Sequence, residues 1–239
     1  MSGPSEVLLL DCGPGALQQA WARGWIERLD AIVISHMHMD HMLDLLPFSG
    51  EVAQLVLRER NPQWQPPALY LPRAGGREVL GDLARAFGSD VRRFEAAFDV
   101  REYDEADTVE LGALTLTFAR TAHAGPCFAA RVSDGASSLV YGADGAFSEA
   151  LVAHAAGADL LLLEATYLEP GPELERQGHM TGAQAAEVAA YADGVIVGSA
   201  LVATLLDPPA GDGVAALRAL AAELAAGVRS AAPGSAGHP

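Results

Sequence analysis

Between Asp30 and Leu46 the chain reads Asp-Ala-Ile-Val-Ile-Ser-His-Met-His-Met-Asp-His-Met-Leu-Asp-Leu-Leu, and four side chains of metal-ligand type, His36, His38, Asp40 and His41, fall within six residues. Imidazole nitrogen and carboxylate oxygen are the donors that borderline cations such as zinc select, and three imidazoles crowded together without a cation would gain little. A lone histidine after a strand is usually hydrogen-bonded or solvated. Four donors in six positions read instead as a ligand cluster. The alternating spacing lets His36 and His38 point the same way from an extended turn, and Asp40 with His41 then faces a second position. Two neighbouring metal sites are the expectation.

Such a cluster has to hang from rigid elements. Ile32 to Ile34, a short β-branched run, reads as a buried strand directly before His36. Upstream, a strand from Glu6 to Leu10 delivers Asp11, Gly13-Pro14-Gly15 turns the chain, and Ala16 to Arg23 forms a short helix. Downstream, His41 to about Arg58 reads as a helix interrupted near Pro47, with Leu43, Leu46, Val52, Leu55 and Val56 as its buried face. A short strand follows over Ala68 to Leu71, and Gly76 to Phe87 carries Val79, Leu83 and Phe87 at four-residue steps, a stripe expected in the core. Thr108 to Phe118 alternates around Gly112, with Val109, Leu111, Leu114, Leu116 and Phe118 inward, and leads to His123 at a strand end. A second hairpin, Cys127 to Val132 and Ser137 to Tyr141, turns through Asp134-Gly135 and ends in Gly142-Ala143-Asp144-Gly145. A helix from near Ser148 to about Ala156 and an apolar strand, Asp159 to Leu163, lead to Glu164, and His179 precedes an alanine-rich helix, Gly182 to Ala190.

His-x-His-x-Asp-His after an apolar strand resembles the signature of the metallo-β-lactamase fold, and its other landmarks recur in order over about residues 6 to 190. Asp11 in Leu-Leu-Leu-Asp-Cys-Gly-Pro-Gly resembles the first motif, His123 in Thr-Ala-His-Ala the third, and Asp144 in Tyr-Gly-Ala-Asp-Gly the fourth. His179 in Gly-His-Met-Thr is similar to a histidine of the ribonuclease Z-like phosphodiesterase branch. The resemblance implies an α/β protein, the four-layer αββα sandwich, with metals at one rim. Its amino-terminal edge would be truncated and its carboxy-terminal β/α segment atypical. His36, His38 and His123 would hold one metal, Asp40 and His41 the other, and Asp144 would span both. Asp40 and His179 would be catalytic, and the reaction hydrolysis of a phosphodiester or related small ester by a metal-bound hydroxide, since metal binding lowers the pKa of water to about 7. Zinc, in one or two equivalents, is the implied cofactor, with manganese or iron(II) as alternatives. Asp11 would brace the histidine loop, or act as a turn carboxylate there. Glu164 would hold a catalytic histidine or be a surface carboxylate. Asp144 has the alternative of capping the helix near Ser148, and His179 that of an ordinary helix-start histidine.

Beyond residue 184 the pattern departs. A ribonuclease Z-like chain would end a strand in Thr-His-Leu, supplying the last ligand of the second site; here Gly194 to Val197 is followed by Gly198-Ser199-Ala200. One ligand is missing, so the second site should be weak and turnover impaired. Residues 185 to 202 and the helix after them resemble instead the carboxy-terminal end of a tryptophan synthase alpha chain. In that family the corresponding Gly198 and Ser199 would offer backbone N–H groups to a phosphate, although a glycine here is equally a plain strand-to-helix turn. The expected organisation is a metallo-β-lactamase-like domain over 1–184, a strand-helix segment over 185–229 and a disordered tail over 230–239.

Composition limits the partners. The 239 residues are half apolar, enough for a substantial core, and carry a formal charge of −16 with no lysine. Nucleic-acid backbones are bound by lysine and arginine, so general nucleic-acid affinity is not expected and a small anionic substrate is preferred. The absence of lysine also removes Schiff-base chemistry. No apolar run is long enough to span a membrane and no secretion signal opens the chain, so a cytoplasmic location is expected, with a homodimer left open. Cys12 and Cys127 read as small buried side chains. Two other readings stay open: an inert metal-binding module, and a lyase-related fusion or fragment.

Overall fold

The computed structural model of the protein describes residues 6–167 and 178–189, with positions 171, 176, 195–196, 214–215 and 218–219 beyond them. The chain divides into two compact units, Met1–Thr117 and Phe118–Pro239.

The first unit carries a four-stranded sheet in the order β1 (Leu8–Leu10), β2 (Ala31–Val33), β3 (Ala68–Pro72), β4 (Asp99–Tyr103), every neighbouring pair parallel. β2 and β3 are buried along their whole length, as strands covered on both faces by crossover elements must be. Helix α1 (Ala16–Ala22) follows β1, and the histidine segment after β2 leads into α2 (Met39–Met42), α3 (Leu45–Pro47), a wide π-type helix over Phe48–Leu57, and α4 (Arg58–Arg60). Further on come α5 (Gly76–Ala86) and α6 (Arg92–Ala97). The core of this unit includes Ile32, Ile34, Met42, Leu45, Phe48, Leu57, Leu69, Leu71, Leu80 and Phe94.

Two helical faces differ from the sequence expectation. Among the described side chains of residues 39–60 the buried positions are Met42, Leu45, Phe48, Ser49, Ala53 and Leu57, with Leu46 and Val52 partly buried against them, while Leu55 and Val56 of the expected face lie outside the described side chains. On α5 the buried positions are Gly76, Leu80, Gly81 and Ala84, whereas Val79 is 38% and Phe87 63% exposed. The reason is close approach: a Cβ at Gly76 would stand 2.8 Å from the Leu71 Cβ, so the row Gly76, Leu80 and Ala84 faces the core, with Leu83 packed at its margin and Val79 and Phe87 turned outward.

Strand β5 (Thr108–Leu111) pairs antiparallel with β6 (Leu114–Arg120) through the turn at Gly112, and β6 carries the chain into the second unit. The second sheet has the order β10-β9-β8-β7-β6-β5, in which β7 (Phe128–Ser133) and β8 (Ser138–Tyr141) form the hairpin expected around Asp134-Gly135. β9 (Leu160–Leu162) and β10 (Val195–Ile196) add in parallel. The alternation on β6 buries Leu114, Leu116 and Phe118. Helix α7 (Glu149–Ala155) is capped by Ser148, whose Oγ accepts from Leu151 N at 3.2 Å, and α8 spans Gly182–Ala189. Ala129, Val140, Leu151, Leu161, Met180 and Val188 are among the core residues of this unit. The strand expected over 194–197 is thus present as β10, while Gly198, Ser199 and the 230–239 tail lie outside the described residues. No helix among the described residues is long and apolar enough to cross a membrane.

Candidate metal centre

In the first unit, parallel register sets the arrangement. Leu10 stands opposite Val33, so the residues leaving β1 and β2 emerge side by side at one edge of the sheet, where open parallel sheets present their ligands. Asp11 takes φ 62° and its N–H donates to the Val33 carbonyl at 2.8 Å. Its buried carboxylate accepts three hydrogen bonds: Ser35 N on Oδ1 at 2.7 Å, Ser35 Oγ on Oδ2 at 2.8 Å and His41 Nδ1 on Oδ2 at 2.6 Å.

These bonds decide where the imidazole protons sit. A carboxylate only accepts, so His41 carries its proton at Nδ1 and presents the Nε2 lone pair. The single hydroxyl proton of Ser35 goes to Asp11, so at 3.1 Å Ser35 Oγ accepts from His36 Nδ1, and His36 also presents Nε2. That nitrogen faces His38 Nδ1 at 2.9 Å, and the rings of His36 and His41 lie 4.1 Å apart. Nitrogen donors on a tetrahedral zinc ion stand about 3.3 Å from one another, close to the His36–His38 spacing. The donor set therefore fits a divalent cation. Asp40 is the outlying member, its side chain 78% exposed and its Oδ2 3.6 Å from His41 Nε2.

The surrounding chain pins this segment. Cys12 N donates to the His41 carbonyl at 2.7 Å, Asp44 N returns to the Cys12 carbonyl at 3.0 Å, and Asp44 Oδ2 accepts from Gly15 N and Leu17 N at 3.0 and 2.9 Å. A Cβ at Gly13 would lie 1.6 Å from the Asp40 carbonyl oxygen, so the loop after β1 needs glycine there. From β4, the buried Tyr103 hydroxyl donates to the Ile34 carbonyl at 2.8 Å. Cys12 is wholly buried, and burial, reinforced by Asp44 and Asp11, pushes its thiol up to about 12, which leaves it protonated and unsuited as a ligand.

The second unit repeats the logic. Tyr141 stands opposite Leu162 in a parallel pair and Gly142 N donates to the Leu162 carbonyl at 2.8 Å, so Asp144 and Glu164 follow neighbouring strands. Glu164 Oε1 accepts from Gly145 N at 2.9 Å and from His179 Nδ1 at 2.8 Å, while its Oε2 accepts from Thr166 Oγ1 at 2.6 Å. Of the two alternatives for Glu164, the structure thus has it bonded to His179, with a side chain only 9% exposed. One ligand-type atom from each of Asp144, Glu164 and His179 lies within 4.8 Å of the others. His123 leaves the end of β6 as expected. Its Nδ1 donates to the Gly178 carbonyl at 2.9 Å, which again leaves Nε2 as the lone pair, and its ring is 5.0 Å from that of His179.

Sequence reasoning missed several supporting residues. Ser35 relays Asp11 to His36, Asp44 ties α1 to the histidine segment, and Gly178 fixes the His123 tautomer. Only Ser35 carried a signal, as the polar residue between an apolar strand and the first histidine.

Comparison with known proteins places this geometry in a family. The chain matches the model of a β-lactamase superfamily domain over residues 7–199. It is 27% identical over 184 residues to the probable metallo-hydrolase YhfI of Bacillus subtilis, covering 76% of this chain and 69% of that protein. The crystal structure of YhfI superimposes with a TM-score of 0.70 at 24% identity, over 83% of this chain and 76% of that one. Human tRNase Z, short form, gives a TM-score of 0.64 at 20% identity, over 82% of this chain and 83% of that one. At such identities the two structures speak for the fold. Over 54 residues, 23% of its length, this chain is 65% identical to the tryptophan synthase alpha chain of Nocardia farcinica, spanning 18% of that protein. The likeness to the lyase is therefore real but confined to a short segment. With its α/β fold of two sheets flanked by helices and the domain model matched over most of its length, the chain belongs to the metallo-β-lactamase superfamily.

Proposed function

We propose that this protein is a zinc-dependent hydrolase of a small phosphodiester or related ester, with His36, His38 and His123 holding one cation, Asp40 and His41 a second, and Asp144 bridging them. The observation that carries the reading is the network at Asp11, which leaves the Nε2 lone pairs of His36 and His41 presented together. Fixing the tautomer through the far ring nitrogen is how proteins prepare imidazole for a metal. The likeness to a tRNase Z fold supports phosphodiester chemistry, and the charge of −16 favours a small substrate over a polynucleotide.

A cation in this set would lower the pKa of water to about 7 and so supply the nucleophile at neutral pH. The chain's own residues do the rest. Asp11 keeps the protons of His36 and His41 on the side away from the cation. Glu164 holds His179 through Nδ1, so that in its doubly protonated form the ring would have Nε2–H free to donate a proton to the departing oxygen or to stabilise charge there. The second site has Asp40 and His41 plus the bridge, and Asp40 is largely exposed, so it binds its cation more weakly than the first.

The test is hydrolysis of bis(p-nitrophenyl) phosphate by zinc-loaded protein, with His179→Ala beside it. Turnover that falls on the order of 100-fold or more in the variant, at unchanged metal content, supports the reading. A protein that takes up zinc yet hydrolyses no phosphodiester, lactone or thioester is an inert metal-binding module instead.

A further inference from the structure

The turn that carries Asp144 is gripped by two side chains that the proposed chemistry does not use. The Asp144 carbonyl accepts from Thr121 Oγ1 at 2.6 Å and from Cys127 Sγ at 3.2 Å. Thr121 is 5% exposed and Cys127 wholly buried, and Thr121 N donates to the Cys127 carbonyl at 2.9 Å. This last bond closes the loop 121–127, which carries His123.

The backbone around Asp144 is fixed from both sides. Ala143, just before it, holds φ 53°, a left-handed conformation that a side chain with a Cβ adopts only when its surroundings impose it. Just after it, Gly145 N is bound to Glu164 and Ala146 N to the Ala122 carbonyl at 2.9 Å. A Cβ at Gly145 would stand 2.8 Å from the Thr121 Cβ, so the two chains touch directly. The Asp144–Gly145 peptide is thus held on both edges, its carbonyl by two donors and its N–H by Glu164, which fixes the backbone from which the Asp144 side chain departs.

We propose that Thr121 and Cys127 are positioning residues for Asp144, locking its peptide so that the carboxylate and the His123 loop are delivered as one piece. The proposal rests on the reading that Asp144 binds a cation. A carboxylate that must reach two cations about 3.5–4 Å apart tolerates little error, and groups that orient ligands through hydrogen bonds typically govern metal affinity by 10–100-fold. Thr121 is the stronger grip, with a shorter bond from a better donor, and Cys127 the weaker, since a thiol is a poor donor.

The experiment is a zinc competition titration against a chromophoric chelator, with cobalt(II) spectra and thermal melts, on the full chain and its Thr121→Val, Thr121→Ser, Cys127→Ala, Thr121→Val/Cys127→Ala and Asp144→Asn variants. Expected are a loss of zinc affinity of about 10-fold in Thr121→Val and up to about 100-fold in the double variant, an altered cobalt spectrum, and recovery to near the parent affinity in Thr121→Ser. Parent affinity and an unaltered cobalt spectrum in folded Thr121→Val and Cys127→Ala would overturn the proposal while leaving the metal site intact. The two single variants decide it even if the double variant does not fold. Parent affinity in Asp144→Asn would show that Asp144 is no ligand, overturning the underlying reading and the grip with it.

Discussion

His41 Nδ1 stands 2.6 Å from Asp11 Oδ2, across thirty residues of sequence, and the same oxygen takes the Ser35 hydroxyl that in turn receives His36 Nδ1. One carboxylate thus fixes the protons of two imidazoles. Two parallel strands in register make this contact, which is why a residue so far away in sequence can do it.

Asp11→Asn should therefore disturb metal binding out of proportion to its size. Three donors converge on the two carboxylate oxygens, and an amide must turn its NH₂ toward at least one of them. Zinc affinity is expected to fall roughly 10–100-fold, with unfolding free energy lower by about 1–3 kcal/mol. Chelator competition and urea unfolding measure the two quantities, and unchanged affinity would remove Asp11 from the account.

Gly178 offers a second test. It holds φ 69°, and a Cβ there would stand 2.4 Å from the Ala122 carbonyl oxygen and 2.9 Å from His123 Cα. Gly157 has a similar φ of 67° with open space around it. Gly157→Ala should cost about 1 kcal/mol of stability, while Gly178→Ala should cost several times that and displace the partner of His123. Equal midpoints in urea for the two variants would contradict the packing described.

Cys12 predicts an alkaline limit on stability. Burial raises its folded pKa from 9.0 to about 12, so the thiol stays protonated in the native state while the unfolded chain ionises from about pH 9 upward. The contribution is fully present below pH 9 and is lost progressively as pH rises toward 12, at up to about 1.4 kcal/mol per pH unit. Cys12→Ser should flatten that slope in unfolding curves taken between pH 8 and 10.5. A slope identical to the parent would mean another group causes it.

Arg131 closes the carboxy-terminal end of α7. Its guanidinium donates to the carbonyls of His154, Ala156 and Gly157 and to Ser138 Oγ, at 2.9 to 3.2 Å. Arg131→Met should destabilise the protein by about 1.5–3 kcal/mol, and Arg131→Lys should recover little, because a point charge cannot span the fork. Full recovery by lysine would show that charge alone suffices.

The strand-end positions of the functional residues were readable from the chain because short apolar runs broke into histidine or aspartate at Asp11, His36, His123 and Asp144. Helix faces were less readable. Val79, Leu83 and Phe87 share their spacing with Gly76, Leu80 and Ala84; Leu83 packs against the core as expected, but Val79 and Phe87 are exposed, because the close approach of Gly76 to β3 sets the other row against the sheet. The grips on the site were invisible for another reason: Asp44, Gly178 and Cys127 act through backbone groups distant in sequence, and nothing in their local pattern marks them.

The central proposal is that His36 and His123 are each needed to hold a tightly bound zinc ion, and metal content after exhaustive dialysis tests it most directly. The account predicts one tightly held zinc equivalent in the parent chain, with that equivalent lost in His36→Ala and lost again in His123→Ala. Two tightly held equivalents in the parent, or a full equivalent retained by either variant, would contradict it.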